Sequence, residues 1–158
     1  MNNIIFLDID GTMIPTSFSK YMEQMSLISK KNILSKDDFG EFFAPHCVEN
    51  LRVLIEKTQG KIVFSSKWKD QGFDFLKNMW KIRYPFGELM GCTPDILNSK
   101  RGEEIETWLQ NNEWDNYVIL DDMTTMCFKL HHISHLVTCD EMFGFTKKDL
   151  NKALNILK

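Results

Sequence analysis

The sequence predicts an α/β fold in which helices cover both faces of a parallel sheet, and three observations carry that prediction. Short unbroken apolar runs recur at Ile4-Ile5-Phe6-Leu7, Ile62-Val63-Phe64 and Tyr117-Val118-Ile119-Leu120, as strands buried on both faces require. Segments of helical period lie between them, which is the alternation of βαβ units. Each run stops abruptly at polar residues: Asp8, Ser65-Ser66 and Asp121-Asp122.

The elements follow in order. Ile4 to Leu7 is the first strand. Val48, Leu51, Leu54 and Ile55 recur at helical spacing, and Gly60 is the expected stop before the strand Ile62 to Phe64. Phe73, Leu76, Met79 and Trp80 predict the next helix, followed by a loop with Pro85 and Gly87 and a weak strand over Leu89 to Cys92. A helix over Arg101 to Leu109, with Ile105, Trp108 and Leu109 inward, feeds the strand Tyr117 to Leu120. His135 to Thr138 is the expected last strand, and Thr146-x-x-Asp149 reads as a capping box for a helix burying Leu150, Ala153, Leu154 and Leu157. Residues 16 to 44 keep no sustained period and are expected as a small insert over the site, within one domain spanning 1 to 158.

Composition narrows the classes. With 158 residues, 43% of them apolar, the chain can bury a core without disulfide or metal staples. A net charge of −3 excludes the basic field needed to hold a long nucleic-acid duplex, while a short nucleic-acid end stays compatible. Cys47, Cys92, Cys127 and Cys139 form no CxxC pair, so reduced core thiols are expected rather than a zinc knuckle or redox site. The start lacks the pattern of a signal peptide and no apolar run has the length of a membrane span, so a cytoplasmic protein without a membrane partner is expected.

The chemistry lies at the strand ends. In an open parallel sheet, ligands bind outside the carboxyl ends of the strands, so Asp8-x-Asp10-Gly11-Thr12, Ser65-Ser66 and Asp121-Asp122 should converge. An aspartate can attack phosphorus to give an acyl phosphate, with a divalent metal to let two anions approach. Hard Mg²⁺ takes oxygen ligands: carboxylates from Asp8 and Asp121, the backbone carbonyl of Asp10, and Asp122 directly or through water. The Asp10 carboxylate suits a general acid and base on the leaving-group side, with Gly11 permitting the turn between them. Ser65 is favoured over Ser66 as a phosphoryl donor because it comes first after the strand; Arg101 and Lys100 compete to neutralise developing charge.

These residues resemble the four motifs of the HAD (haloacid dehalogenase) superfamily: DIDGT at 8 to 12, Ser65 after a strand, a basic residue at Lys100 or Arg101, and LDD at 120 to 122. The chain is more similar still to the small HAD domains associated with Swiss-army-knife RNA repair proteins, through FAP at 43 to 45, SSKWK at 65 to 69, RGEEIETWL at 101 to 109, Gly91-Cys92-Thr93-Pro94 and Gly144-Phe145-Thr146. The resemblance implies a Rossmann-like three-layer sandwich with strand order 5-4-1-2-3, minimal or no cap, and Mg²⁺-dependent phosphomonoesterase chemistry. It also implies Arg101 rather than Lys100 in the site. Two departures stand out. Thr12, a phosphate-binding candidate, occupies a position often filled by a small aliphatic residue, and Lys69 stands where the family usually has Arg, which would loosen bidentate phosphate recognition.

The expected substrate is a phosphate monoester, with a nucleotide or an RNA or DNA end implied by the resemblance; a small metabolite and a non-catalytic phosphate-binding module are the alternatives. His131, His132 and His135 are a weaker, zinc-like cluster, without a carboxylate pair at fitting spacing. Trp80 and Trp108 sit at core periodicity, leaving Trp68 as the stacking candidate. Lys20, Lys30, Lys31 and Lys36 make a locally basic stretch able to guide a nucleic-acid end or simply to solvate a surface.

Overall fold

The N-terminal apolar run is the central strand of the sheet, and its burial on both faces explains why it carries no polar side chain after Asn3. The structure, a computed structural model, describes residues 1–29, 36–84 and 86–158; Lys30, Lys31, Pro85 and the side chain of Lys36 lie outside the described residues. In chain order the first elements are β1 (Asn3–Leu7), α1 (Thr16–Ser29), β2 (Lys36–Asp37), β3 (Gly40–Glu41), α2 (Pro45–Thr58) and β4 (Lys61–Phe64). Then come α3 (Phe73–Arg83), β5 (Leu89–Cys92), α4 (Arg101–Asn111), β6 (Asn116–Asp121), β7 (Leu136–Thr138) and α5 (Lys147–Ile156).

Five strands form one sheet in the order β5-β4-β1-β6-β7, and all four pairings are parallel. Counted among themselves these strands read 3-2-1-4-5, which is the expected 5-4-1-2-3 seen from the opposite edge; the separate β2-β3 hairpin accounts for the shift in plain numbering. Alternation along each strand divides the core. Ile5, Leu7, Ile62, Phe64, Val118 and Leu120 face α2, α3 and α5, whereas Ile4, Phe6, Val63, Tyr117 and Ile119 face α4. On the α4 side the rings of Phe6 and Trp108 meet edge to face at 5.3 Å, a geometry that adds to simple area burial.

Two sequence expectations need correction. Helix α2 ends on Gln59, which adopts the left-handed conformation (φ 54°) and donates its N–H to the Ile55 carbonyl, so Gly60 is not the residue that turns the chain. Gly60 instead leaves room for a core side chain: a Cβ there would lie 2.7 Å from Cδ1 of Ile5, which would have to shift. Residues 16 to 29 form a helix rather than an aperiodic stretch. Its pattern is faint because Phe18 packs on the core while Tyr21, Leu27 and Ile28 are exposed. The N–H groups of Thr16 and Ser17 at its start donate to the carbonyls of Glu141 and Met142.

Among the described residues no helix is long and apolar enough to cross a membrane. The capping box at Thr146 is present: its hydroxyl accepts the Asp149 N–H, and the Asp149 carboxylate accepts the Thr146 N–H. Cys47, Cys92, Cys127 and Cys139 are free thiols.

Candidate active site

Strand register brings the site together. Leu7 is level with Phe64 on one side and Leu120 on the other, so the next residue of each strand stands in one row. The ladder continues one step further, with the Asp8 N–H on the Leu120 carbonyl and the Ser65 N–H on the Leu7 carbonyl, both at 3.0 Å. Asp8 is thereby flanked by Ser65 and Asp121 at the spacing of adjacent strands, about 5 Å. All three are buried.

Arg101 reaches this row from the first turn of α4. Its Nη1 donates to Asp8 Oδ1 at 2.9 Å and to Asp121 Oδ2 at 2.6 Å. The start of α4 is held by Gly102, where a Cβ would lie 2.6 Å from the Phe128 backbone. Lys100, one residue earlier, is exposed, and its ammonium donates to the Met126 carbonyl. The structure thus brings Arg101 into the row and leaves Lys100 outside it.

The turn after β1 supplies the remaining groups. Thr12 is buried, with its hydroxyl 3.5 Å from Asp8 Oδ2, the outer limit of a hydrogen bond. Its carbonyl accepts the Phe145 N–H, which is how the Gly144-Phe145-Thr146 segment braces the turn. Gly11 has φ +79°, and a Cβ on it would sit 2.3 Å from Asp122 Oδ2. The turn therefore needs glycine both for its conformation and for room to admit the Asp122 carboxylate.

The electrostatics are those of a crowded acidic site. Carboxylate oxygens of Asp8, Asp121 and Asp122 lie within 4.8 Å of one another. Burial, then the charge of Asp121, push the Asp8 carboxyl up to about 8 despite Arg101. Asp121 is raised by burial as well, and held back by Arg101. Three carboxylates against one guanidinium leave a formal excess of two negative charges, which one divalent cation would neutralise. An all-oxygen donor set of this kind suits a hard cation, and the Asp8, Asp121 and Asp122 residues fit a metal on that ground.

The hydroxyl of Ser65 is buried with no partner among the described residues, a costly state unless water or a ligand accepts from it. Ser66 Oγ accepts the Trp68 N–H at 3.2 Å and so caps the short helical turn Lys67–Gln71. Asp10 is exposed, and its Oδ2 accepts the indole N–H of Trp68 at 3.0 Å. Its carboxylate stands outside the Asp8, Asp121 and Asp122 cluster.

Lys69 is held by three partners. Its ammonium donates to Thr93 Oγ1 and the Pro94 carbonyl, each at 3.2 Å, and pairs with the Glu104 carboxylate. Three acceptors use its three protons, so it ties the Ser65 loop to the end of β5 and to α4 at the wall of the cavity that Ser65 and Arg101 line. Sequence reasoning missed Glu104, whose only signal is its place one turn beyond Arg101. It also missed Arg83, whose partner Asp37 is 46 residues away.

The histidines do not gather as three. His131 and His132 both bond Glu106 Oε2, at 2.7 and 2.9 Å, while His135 bonds the Tyr117 carbonyl. The Lys129 N–H points at Nδ1 of His132, which puts the ring proton on Nε2, the nitrogen a metal would need.

Open cavities surround the row. One of about 250 Å³ is lined by Ser65, Lys67, Asn98, Ser99 and Arg101 among others. Another of about 370 Å³ is bounded by Asp10, Gly11, Asp122 and Glu141, with Thr16, Ser19 and Glu41 from the segment between β1 and α2.

No curated protein and no solved structure matches the chain. A family profile does, described as the HAD domain in Swiss Army Knife RNA repair proteins, over residues 4–150, a stretch that holds Asp8, Ser65, Arg101 and Asp121 in one row. The chain belongs to this family of HAD domains, within the HAD superfamily of hydrolases.

Proposed function

We propose that the protein is a Mg²⁺-dependent phosphomonoesterase that works through a phospho-aspartate on Asp8. The observation that carries this reading is the surrounding of Asp8: a buried, unpartnered Ser65 hydroxyl on one side, Arg101 bonded to it, and Asp121 and Asp122 beside it. Mg²⁺ on Asp8, Asp121 and Asp122, with the Asp10 carbonyl as a further oxygen, would offset the repulsion between carboxylate and phosphate.

In the reaction, an Asp8 carboxylate oxygen attacks phosphorus and the bond to the leaving oxygen breaks. Asp10 passes that oxygen a proton, and then takes one from the water that cleaves the acyl phosphate. Ser65 donates its hydroxyl in a hydrogen bond to a phosphoryl oxygen, the Thr12 hydroxyl steadies Asp8 from behind, and Arg101 offsets charge that builds during transfer.

The family description points to RNA repair, and the substrate we propose is a nucleotide or a nucleic-acid end. Lys67, Asn98 and Ser99 beside Ser65 and Arg101 offer polar contacts for it. A small phosphorylated metabolite is the second reading, favoured by Asp70, Asp95, Glu41 and Glu141 on the cavity walls, since acid repels a polyanion. A panel of phosphate esters including 5′- and 3′-phosphorylated oligonucleotides, with and without Mg²⁺, tests both. Oligonucleotide preference that weakens steeply with salt supports the first; faster turnover of small esters supports the second; no turnover of any ester removes the phosphatase reading.

A further inference from the structure

Asp10 and Trp68 meet in a way that the phosphatase motifs do not account for. Asp10 is exposed three residues beyond β1, where a carboxylate has freedom to rotate, yet Nε1 of Trp68 donates to its Oδ2 at 3.0 Å. The indole is itself held. Its backbone N–H is fixed by Ser66 Oγ, its ring lies 5.6 Å from the guanidinium carbon of Arg83, and Gly40 approaches its edge closely enough that a Cβ would sit 3.6 Å from Cη2.

Arg83 is anchored in turn. Its Nε and Nη2 form a two-pronged pair with Asp37 at 2.9 and 2.7 Å, Nη2 also donates to the Gly40 carbonyl, and its side chain is 3% exposed. A continuous chain of contacts thus runs from the β2-β3 hairpin through Arg83 and Trp68 to the acid above Asp8.

We propose that Trp68 is a positioning residue for Asp10, with the Arg83–Asp37 pair as the clamp that holds the indole in place. The inference rests on the reading of Asp10 as the acid and base of a phosphatase. An indole N–H only donates, so it fixes the carboxylate without competing for the proton. The bond occupies Oδ2, which fixes the carboxylate plane and leaves Oδ1 as the oxygen Asp10 presents to the leaving-group side. Arg83 stands over the ring, which makes base stacking a lesser use of this tryptophan.

The test is Trp68→Phe in the full chain with Mg²⁺, assayed on phosphate esters ranging from p-nitrophenyl phosphate to a simple alkyl phosphate. Loss of the bond should lower kcat/KM about tenfold on the alkyl ester and less than twofold on p-nitrophenyl phosphate, whose leaving group departs without a proton. Asp37→Asn, which loosens the clamp without touching the indole, should give the same pattern more mildly.

An equal fall across the series overturns the proposal in favour of a structural role. A loss confined to nucleotide substrates overturns it in favour of stacking. Independently of turnover, the indole ¹H–¹⁵N resonance of Trp68, assigned through its absence in Trp68→Phe, should shift in Asp10→Ala. An unmoved resonance overturns the hydrogen bond itself. If the wild-type chain cleaves none of these esters, the phosphatase reading fails, and the positioning role in catalysis falls with it.

Discussion

Protons and the metal should compete for Asp8. Burial and the charge of Asp121 push its carboxyl up to about 8 in the metal-free protein, whereas an aspartate in the unfolded chain titrates near 3.9. Between those values the folded chain holds a proton that the unfolded chain has lost. Metal-free stability therefore falls as pH rises from about 4 to about 8. Mg²⁺ needs the carboxylate, so its apparent affinity should rise about tenfold per pH unit and level off above about pH 8.

Magnitudes follow from that competition. Mg²⁺ at ~100 times its plateau Kd stabilises by about 2.7 kcal/mol, roughly 5 to 11 °C in Tm for a chain of this size. Two pH units lower, the affinity is about a hundredfold weaker, and the same concentration contributes only about 0.4 kcal/mol, roughly 1 to 2 °C. Thermal melts with and without Mg²⁺ at about pH 6 and about pH 8.5 read this directly, and Asp8→Asn should lose most of the Mg²⁺ effect at both. An equal rise in Tm at the two pH values, or a full rise in Asp8→Asn, would mean that Mg²⁺ does not compete with a proton on Asp8.

Gly11→Ala places a Cβ 2.3 Å from Asp122 Oδ2 at φ +79°; it should cost about 1 to 3 kcal/mol and raise the Mg²⁺ concentration needed for activity, and an unchanged Mg²⁺ titration would contradict it. Arg101→Lys gives up the guanidinium that serves Asp8 and Asp121 together and should lower kcat about a hundredfold, while Lys100→Ala stays close to wild type; the reverse order would contradict the assignment. Lys69→Met strands the half-buried Glu104 and should cost about 1 to 3 kcal/mol in chemical denaturation. The double variant Lys69→Met/Glu104→Leu should recover most of that loss.

The strands and the acids at their ends were legible because burial on both faces and abrupt termination leave local marks, as at Ile4 to Asp8 and Tyr117 to Asp122. Helix α4 was legible for the same reason, with Ile105, Trp108 and Leu109 all buried on one face. Helix α1 was not, since Tyr21, Leu27 and Ile28 point to solvent and blur the period.

In the site, residue types and order suggested which groups converge, but not which partner each would take. Lys100 and Arg101 are neighbours with the same charge, and only the orientation of the first turn of α4 separates them. The partners of Lys69, namely Thr93, Pro94 and Glu104, come from two other segments and could not be read from SSKWK alone. The Asp37–Arg83–Trp68–Asp10 chain joins residues far apart in sequence, and such long-range pairs leave no periodic trace.

The central claim is that Asp8 carries the phosphoryl group during turnover. Rapid acid quench of the protein while it hydrolyses a phosphate monoester with Mg²⁺, followed by borohydride reduction and peptide mass spectrometry, tests it most directly. Asp8 should be converted to homoserine, and no such product should form without substrate or in Asp8→Asn. Sustained turnover with Asp8 unmodified, or full activity in Asp8→Asn, would contradict it.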